Sequence, residues 1–268
     1  MASGMGIRIL LAVRTHDTLG SHRSAPSDIT QVTSTQAISL AKSWSNETVE
    51  INIIQKRSPE SVKSPALWVD EASGRMYRWG GARPGSQPIQ VDNATLWVFS
   101  ANSDGGEWSE QSPYDRSEFE PLIAGGGAAF GACGGKGLAA GGHVFDSTDA
   151  RFDENIVPLP GMLVYDIEGR TWVNESTVPV HSPTGTFNLA SGVCVPDIAP
   201  NSLFLILGGA DTTAESHKEN EMRQFRNITF YDPVEGQWHW QAARGDVPPG
   251  RDLMCAAGMQ GANGTYEM

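Results

Sequence analysis

The chain has 268 residues, 39% hydrophobic and 19% charged, with 30 Gly, 16 Pro, 8 Trp and a formal net charge of -12 at pH 7. That length is ample for a buried core, the spread of Gly and Pro excludes helix bundles and coiled coils, and no apolar run is long enough to span a bilayer. The excess of 31 acidic over 19 basic side chains repels polyanions and excludes nucleic acid as a partner.

At the start of the chain an apolar stretch from Ile9 to Val13 lies between Arg8 and Arg14. It is shorter than the roughly 7 apolar residues a secretory leader needs, and residues 1–34 receive no assignment. Beyond them three double glycines mark a repeat: Gly80-Gly81 after Tyr77-Arg78-Trp79, Gly141-Gly142 after Leu138-Ala139-Ala140, and Gly208-Gly209 after Leu205-Ile206-Leu207. Each precedes a tryptophan, Trp108, Trp172 or Trp238, and Trp44 extends that series backwards at spacings of 64, 64 and 66. Between glycines and tryptophan lies an apolar strand with an aromatic end: Leu96 to Phe99, Met162 to Asp166, Ile228 to Asp232.

Each unit reads as four short strands, β-branched and aromatic, with a bend at Gly-Gly and a tight turn at Glu168-Gly169 or Glu235-Gly236. A unit of this kind buries one sheet face only by stacking on its own copies, and sheets stacked radially make a propeller. Three complete units are expected at about 60–118, 119–182 and 183–247, with partial ones at 35–59 and 248–268. The cysteines Cys133, Cys194 and Cys255 are spaced 61 and 61 apart. That equality suggests one repeated position, a small apolar core residue in each unit, and three cysteines are too few for a disulfide framework.

The motifs Gly80, Gly81, Gly141, Gly142, Gly208 and Gly209, then Tyr165-Asp166 and Tyr231-Asp232, then Trp44, Trp108, Trp172 and Trp238, resemble the kelch motif. The resemblance covers about residues 35–268 and implies an all-β fold, a β-propeller of four-stranded kelch blades; the two partial units make it an incomplete ring, or a four-bladed one if they join as a composite blade. In the first unit Phe99-Ser100 stands where the family has Tyr-Asp. The long units are similar to those of extracellular kelch proteins of filamentous fungi. Galactose oxidase carries copper on such a propeller, but no stretch here matches its ligand pattern, nor the Glu-x-x-x-Asp-x-x-x-His pattern of iron-binding kelch proteins.

Five Asn-x-Ser/Thr triplets begin at Asn46, Asn93, Asn174, Asn227 and Asn263, more than chance supplies among 11 Asn. They favour passage through a secretory pathway with sugars at surface turns. Repeat duplication accounts for part of the excess, since Asn46 and Asn174 each follow a series tryptophan by two residues.

The run from Gly125 to Gly137 looks like a phosphate loop but has Phe130 and Gly137 where a Walker motif needs Gly and Ser or Thr. It reads as a small-residue strand near the propeller axis. The six histidines, His16, His22, His143, His181, His217 and His239, show no metal-ligand spacing. Asp149, Asp153 and Glu154 read as a solvated loop rather than an acid/base set.

No catalytic, cofactor-binding or metal-binding residue is assigned. The insertions from His143 to Leu159 and from Ala210 to Asn227 are where loops would meet a partner. The expected function is a non-enzymatic interaction module, secreted or on the cell surface, binding protein or glycan without cofactor and without a membrane span of its own. The alternatives are a galactose-oxidase-like enzyme with its catalytic residues outside this chain, and a cytoplasmic adaptor.

Overall fold

The computed structural model describes residues 9–11, 34–39, 43–56, 58–83, 95–102, 105–112, 115–119, 121–178, 180, 184–196, 201–211, 222–261 and 265–268. The fold is all-β. A first antiparallel sheet holds β1 (Ile9–Leu11), β2 (Ser34–Ser39) and β3 (Ile51–Gln55). Part of the apolar stretch that sequence left unassigned therefore forms a strand, with Leu10 opposite Ile38.

Three four-stranded antiparallel sheets follow, each in chain order. They are β4 (Ala66–Asp70), β5 (Arg75–Trp79), β6 (Leu96–Ser100) and β7 (Glu107–Gln111), then, past α1 (Arg116–Phe119), β8 (Ala129–Cys133) and β9 (Lys136–Ala140). A short pair, β10 (His143–Val144) and β11 (Val157–Pro158), interrupts the second sheet before β12 (Met162–Asp166) and β13 (Thr171–Glu175) complete it. The third is β14 (Ser191–Val195), β15 (Leu203–Leu207), β16 (Asn227–Asp232) and β17 (Gln237–Ala242). A hairpin, β18 (Met259–Gln260) and β19 (Tyr266–Glu267), lies near the end. The first strands β4, β8 and β14 lie side by side, a propeller-like arrangement of blades.

The repeated motifs have local causes. Asp166 accepts a hydrogen bond from the Gly169 amide at 2.7 Å, and Asp232 accepts from Val234 and Glu235 at 2.8 and 3.0 Å, so each carboxylate closes the turn between third and fourth strands. That Gly169 amide holds the Asp166 carboxyl below the usual carboxylate range. The preceding tyrosine stands opposite the tryptophan, Tyr165 on Trp172 and Tyr231 on Trp238, with ring centroids 4.6 and 4.9 Å apart. Phe99 and Trp108 repeat the pair at 5.4 Å.

Trp44 does not belong to this series. It lies in the turn region between β2 and β3, 43% exposed, because the β2–β3 hairpin places Ile38 opposite Ile51 and leaves Trp44 beyond the paired strands.

The core lies between the sheets. Trp68, Tyr77 and Trp79 of the first sheet pack with Ala139, Tyr165 and Trp172 of the second, while Leu138, Met162 and Val164 on its other face meet Phe187, Phe204 and Tyr231. Gly137 is required here: a Cβ on it would come within 2.4 Å of the Trp68 indole. The glycine-rich run thus supplies β8, between β4 and β14, and the opening of β9.

Two backbone devices join neighbouring sheets. The second glycine of each pair donates across to the approach of the next sheet: Gly81 to the carbonyl of Gly125, Gly142 to Phe187, Gly209 to Arg251, at 2.8 to 2.9 Å. Both glycines of each pair have positive φ, and a Cβ on Gly80, Gly141 or Gly208 would lie 2.2, 2.4 or 2.5 Å from those same carbonyl oxygens. Beside them Gly127 donates to Ser64 at 3.1 Å, Leu189 to Gly127 at 2.9 Å and Leu253 to Leu189 at 3.1 Å. All four residues have φ between 49° and 71°, so one left-handed residue per unit forms a ladder from sheet to sheet.

The ladder explains the cysteines. Gly127 and Leu189 match at an interval of 62, so Cys133 corresponds to Val195, and Cys194 to Ala132. A shift of one residue turns a strand side chain to the opposite face. Cys133 therefore faces the third sheet, Cys194 faces the second, and they form a disulfide with Cα atoms 5.3 Å apart. The expectation of one repeated core position is corrected accordingly, and Cys255 is an exposed free thiol.

Candidate functional site

The first part of the insertion from His143 to Leu159 is packed, while Asp153 and Glu154 are exposed in keeping with a solvated loop. Ser147, Thr148 and Asp149 are buried, and the Ser147 carbonyl accepts from the Arg83 amide at 2.8 Å. Asp149 accepts from Arg151 Nε at 2.9 Å and Nη2 at 2.6 Å and from the Ala124 amide at 3.4 Å. Burial pushes its pKa up, but the hydrogen bonds and charge of Arg151 together with the Ala124 amide outweigh this and hold it below the ordinary value. Asp149 is thus a structural tie, which corrects its reading as a solvated loop residue.

The connection from Pro121 to Gly125 and the stretch from Leu159 to Gly161 wall a recess between the first two sheets. Trp79, Leu122, Ile123, Leu159 and Leu163 give it an apolar lining, and Asn174 adds an amide at its edge. Trp79 is 2% exposed, and its indole Nε1, like those of Trp68 and Trp172, is buried without a hydrogen-bond partner. A buried N–H of this kind is costly unless an acceptor meets it. An apolar cleft with one amide side chain in its lining suits a ligand with a flat apolar face and a polar group beside it.

A second recess stands at the corresponding place on the third sheet. Pairing Tyr165 with Trp172 and Tyr231 with Trp238 puts Gly161 and Asn174 of the second unit in register with Asn227 and Trp240 of the third. In the second unit the Asn174 Oδ1 lies 2.5 Å from where a Cβ of Gly161 would be, so the position is filled. In the third the same place is open, lined by Val180, Asp211, Arg223, Arg226, Asn227, Thr229 and Trp240. Arg223 Nε stands 3.4 Å from Asp211 Oδ1, its Nη2 donates to Thr229 Oγ1 at 3.5 Å, and its guanidinium carbon sits 5.6 Å from the Phe187 ring centroid. Burial lowers the Arg223 pKa and Asp211 opposes the shift. Trp240 is 65% exposed.

Of the five acceptor asparagines, Asn46 is exposed in a turn, Asn174 and Asn227 are exposed on strands, and Asn93 and Asn263 lie outside the described residues. His16, His22, His181 and His217 lie outside them too. Among the described residues no group of three or more His, Cys, Asp or Glu could hold a metal ion, and no helix is long and apolar enough to cross a membrane. Sequence reasoning missed Trp79, Arg223 and Trp240. Trp240 was within reach of an alignment of the units, which sets it against Asn174, whereas Trp79 was visible only as the strand end before Gly80-Gly81.

No protein-family model matches the chain, and no curated protein matches it. A solved structure titled "Structure of YjhT" is similar to it with a TM-score of 0.52 and 14% identity, over 82% of this chain. The chain spans 62% of the length of that structure. The likeness is one of fold, a β-propeller-like arrangement of four-stranded sheets.

Proposed function

We propose that the chain is a non-enzymatic, kelch-type binding module that works outside the cell and takes a protein or glycan group in the recess between its first two sheets. The observation that carries this reading is the apolar recess walled by Trp79, Leu122, Ile123, Leu159 and Leu163, with Asn174 as its one amide side chain. A sugar ring or a peptide group offers an apolar face and polar atoms together, which the apolar walls and the Asn174 amide would meet. The five acceptor triplets support an extracellular setting.

The test is an array of immobilised oligosaccharides and extracellular-protein peptides probed with the full chain and with Leu163→Trp, which fills the cleft. Retention by the wild type and loss in the variant supports the reading. Binding unchanged in the variant, or retention on no probe, overturns it.

A further inference from the structure

We propose that Asn227 carries an N-linked glycan whose first sugar lies in the second recess against the indole of Trp240. The inference rests on the reading that the chain passes through a secretory pathway and adds what no triplet count contains, a place for the sugar.

Asn227-Ile228-Thr229 opens β16, and Asn227 is exposed there. In the antiparallel register Thr229 stands opposite Trp240 and Asn227 opposite Ala242, so Asn227 and Trp240 are diagonal neighbours on one face. Diagonal neighbours lie within reach of aromatic and long side chains. Trp240 is 65% exposed on the outermost strand of the sheet, while Trp68, Trp79 and Trp172 are buried. The C–H face of a sugar ring is partly positive and lies well on the negative face of an indole. The same recess offers Arg226 and Gln224 as donors and the Asp211 carboxylate as an acceptor for the sugar's acetamide and hydroxyl groups.

The second unit supplies the contrast. There the two positions are Gly161 and Asn174, the Asn174 oxygen packs against Gly161, and no open ring faces the pair. A glycan would therefore gain a cradle at Asn227 that the corresponding position of the second sheet lacks.

Attachment joins Asn227 Nδ2 to the anomeric carbon of N-acetylglucosamine. A lipid-linked oligosaccharide is the donor, its diphosphate leaves with the lipid, and the amide loses one proton. Transfer occurs on the extended nascent chain, so the burial of Thr229 in the finished sheet does not obstruct it.

The full chain is secreted from a eukaryotic host, peptide mass spectrometry reads occupancy at each acceptor, and thermal unfolding compares wild type, Asn227→Gln, Trp240→Ala and the double variant. Occupancy at Asn227 is expected, with Asn227→Gln lowering Tm by about 2–4 °C. In the Trp240→Ala background the same change has no further effect, and Trp240→Phe restores most of it. The glycan also slows oxidation of Trp240 by N-bromosuccinimide. Trimming to the single attached sugar keeps that protection, and complete enzymatic release removes it. An unoccupied Asn227 beside an occupied Asn46, or additive Tm changes in the double variant, overturns the cradle alone. Protein isolated from its own cells with no sugar at any acceptor overturns the cradle and the extracellular reading together.

Discussion

The amide of Leu253 donates to the carbonyl of Leu189 at 3.1 Å, and both residues hold left-handed backbone, with φ of 49° and 57°. Leu189 makes the same bond to Gly127, and Gly127 to Ser64. A non-glycine residue in this conformation costs about 1 kcal/mol or more, so its recurrence in successive units marks a position imposed by stacking rather than by local preference.

From this follows a contrast between rungs. Leu253 is 74% exposed, and Leu253→Gly relieves backbone strain while adding unfolded-chain entropy, so the net change is within about 0.5 kcal/mol. Gly127→Ala costs about 1–3 kcal/mol, because the new Cβ lies 2.5 Å from Asn188 Oδ1, which is held by His143 Nδ1 at 3.2 Å. Urea unfolding of the two variants checks this, and equal midpoints would show that the rungs are interchangeable.

The disulfide gives a second expectation. Cys133 and Cys194 close a loop with a sequence separation of 61, for which chain-entropy arguments give about 4 kcal/mol. Thiol counting under denaturing conditions is expected to find one reactive thiol per chain, that of Cys255, and three after reduction. Reduction lowers the denaturant midpoint, and Cys255→Ser leaves the oxidised midpoint in place. Three thiols without reduction would remove the bond.

How much of this was open to a reader of the sequence depends on what sets each feature. The strand order, the Gly-Gly bends and the Tyr-Asp turns follow from residue types whose backbone needs are local, so the pattern at Gly141, Tyr165 and Asp166 was legible. The cysteine pairing was not, because equal intervals of 61 hid a structural interval of 62 that only the ladder reveals. Trp44 kept the tryptophan spacing without the register, since the spacing of one residue type carries no information on where a hairpin pairs. The two recesses arise between sheets, from residues distant in sequence such as Trp79 and Leu163, and no local pattern encodes them.

Alkaline pH is expected to act through two tyrosines. Burial, with lesser contributions from Tyr77 beside Tyr165 and from Glu175 and Asp232 beside Tyr231, pushes both phenols up to about 12 from an ordinary 10.0. The fold favours the neutral phenol, so this contribution to stability is complete below pH 10 and is lost as pH rises from there towards about 12. Phenolate absorbance and unfolding are expected to rise together in that window. Tyr165→Phe and Tyr231→Phe each move the alkaline midpoint upward, and a midpoint unmoved in both would assign alkaline unfolding to other groups.

The last unit tests whether the double glycine joins sheets or merely ends a strand. The Gly209 amide donates to the Arg251 carbonyl at 2.9 Å, and a Cβ on Gly208 would lie 2.5 Å from that oxygen and 3.0 Å from Met254 Sδ. Backbone cannot yield as a flexible side chain can, so Gly208→Ala displaces the segment around Arg251. That segment is otherwise held by the Gly250 amide on Gln224 Oε1 at 3.3 Å, by Leu253 on Leu189, by the Ala256 amide on Ser191 Oγ at 3.1 Å and by the Tyr266 hydroxyl on the Cys194 carbonyl at 3.1 Å. Its few contacts let it detach without unfolding the sheets before it. Hydrogen exchange at the Leu253 and Ala256 amides is therefore expected to quicken strongly in Gly208→Ala while amides of β12 keep their protection. Gly135→Ala, whose Cβ meets nothing within 4 Å, serves as the control for left-handed strain alone. Should Gly208→Ala match Gly135→Ala in both readouts, the contact with Arg251 would not be what holds the final unit in place.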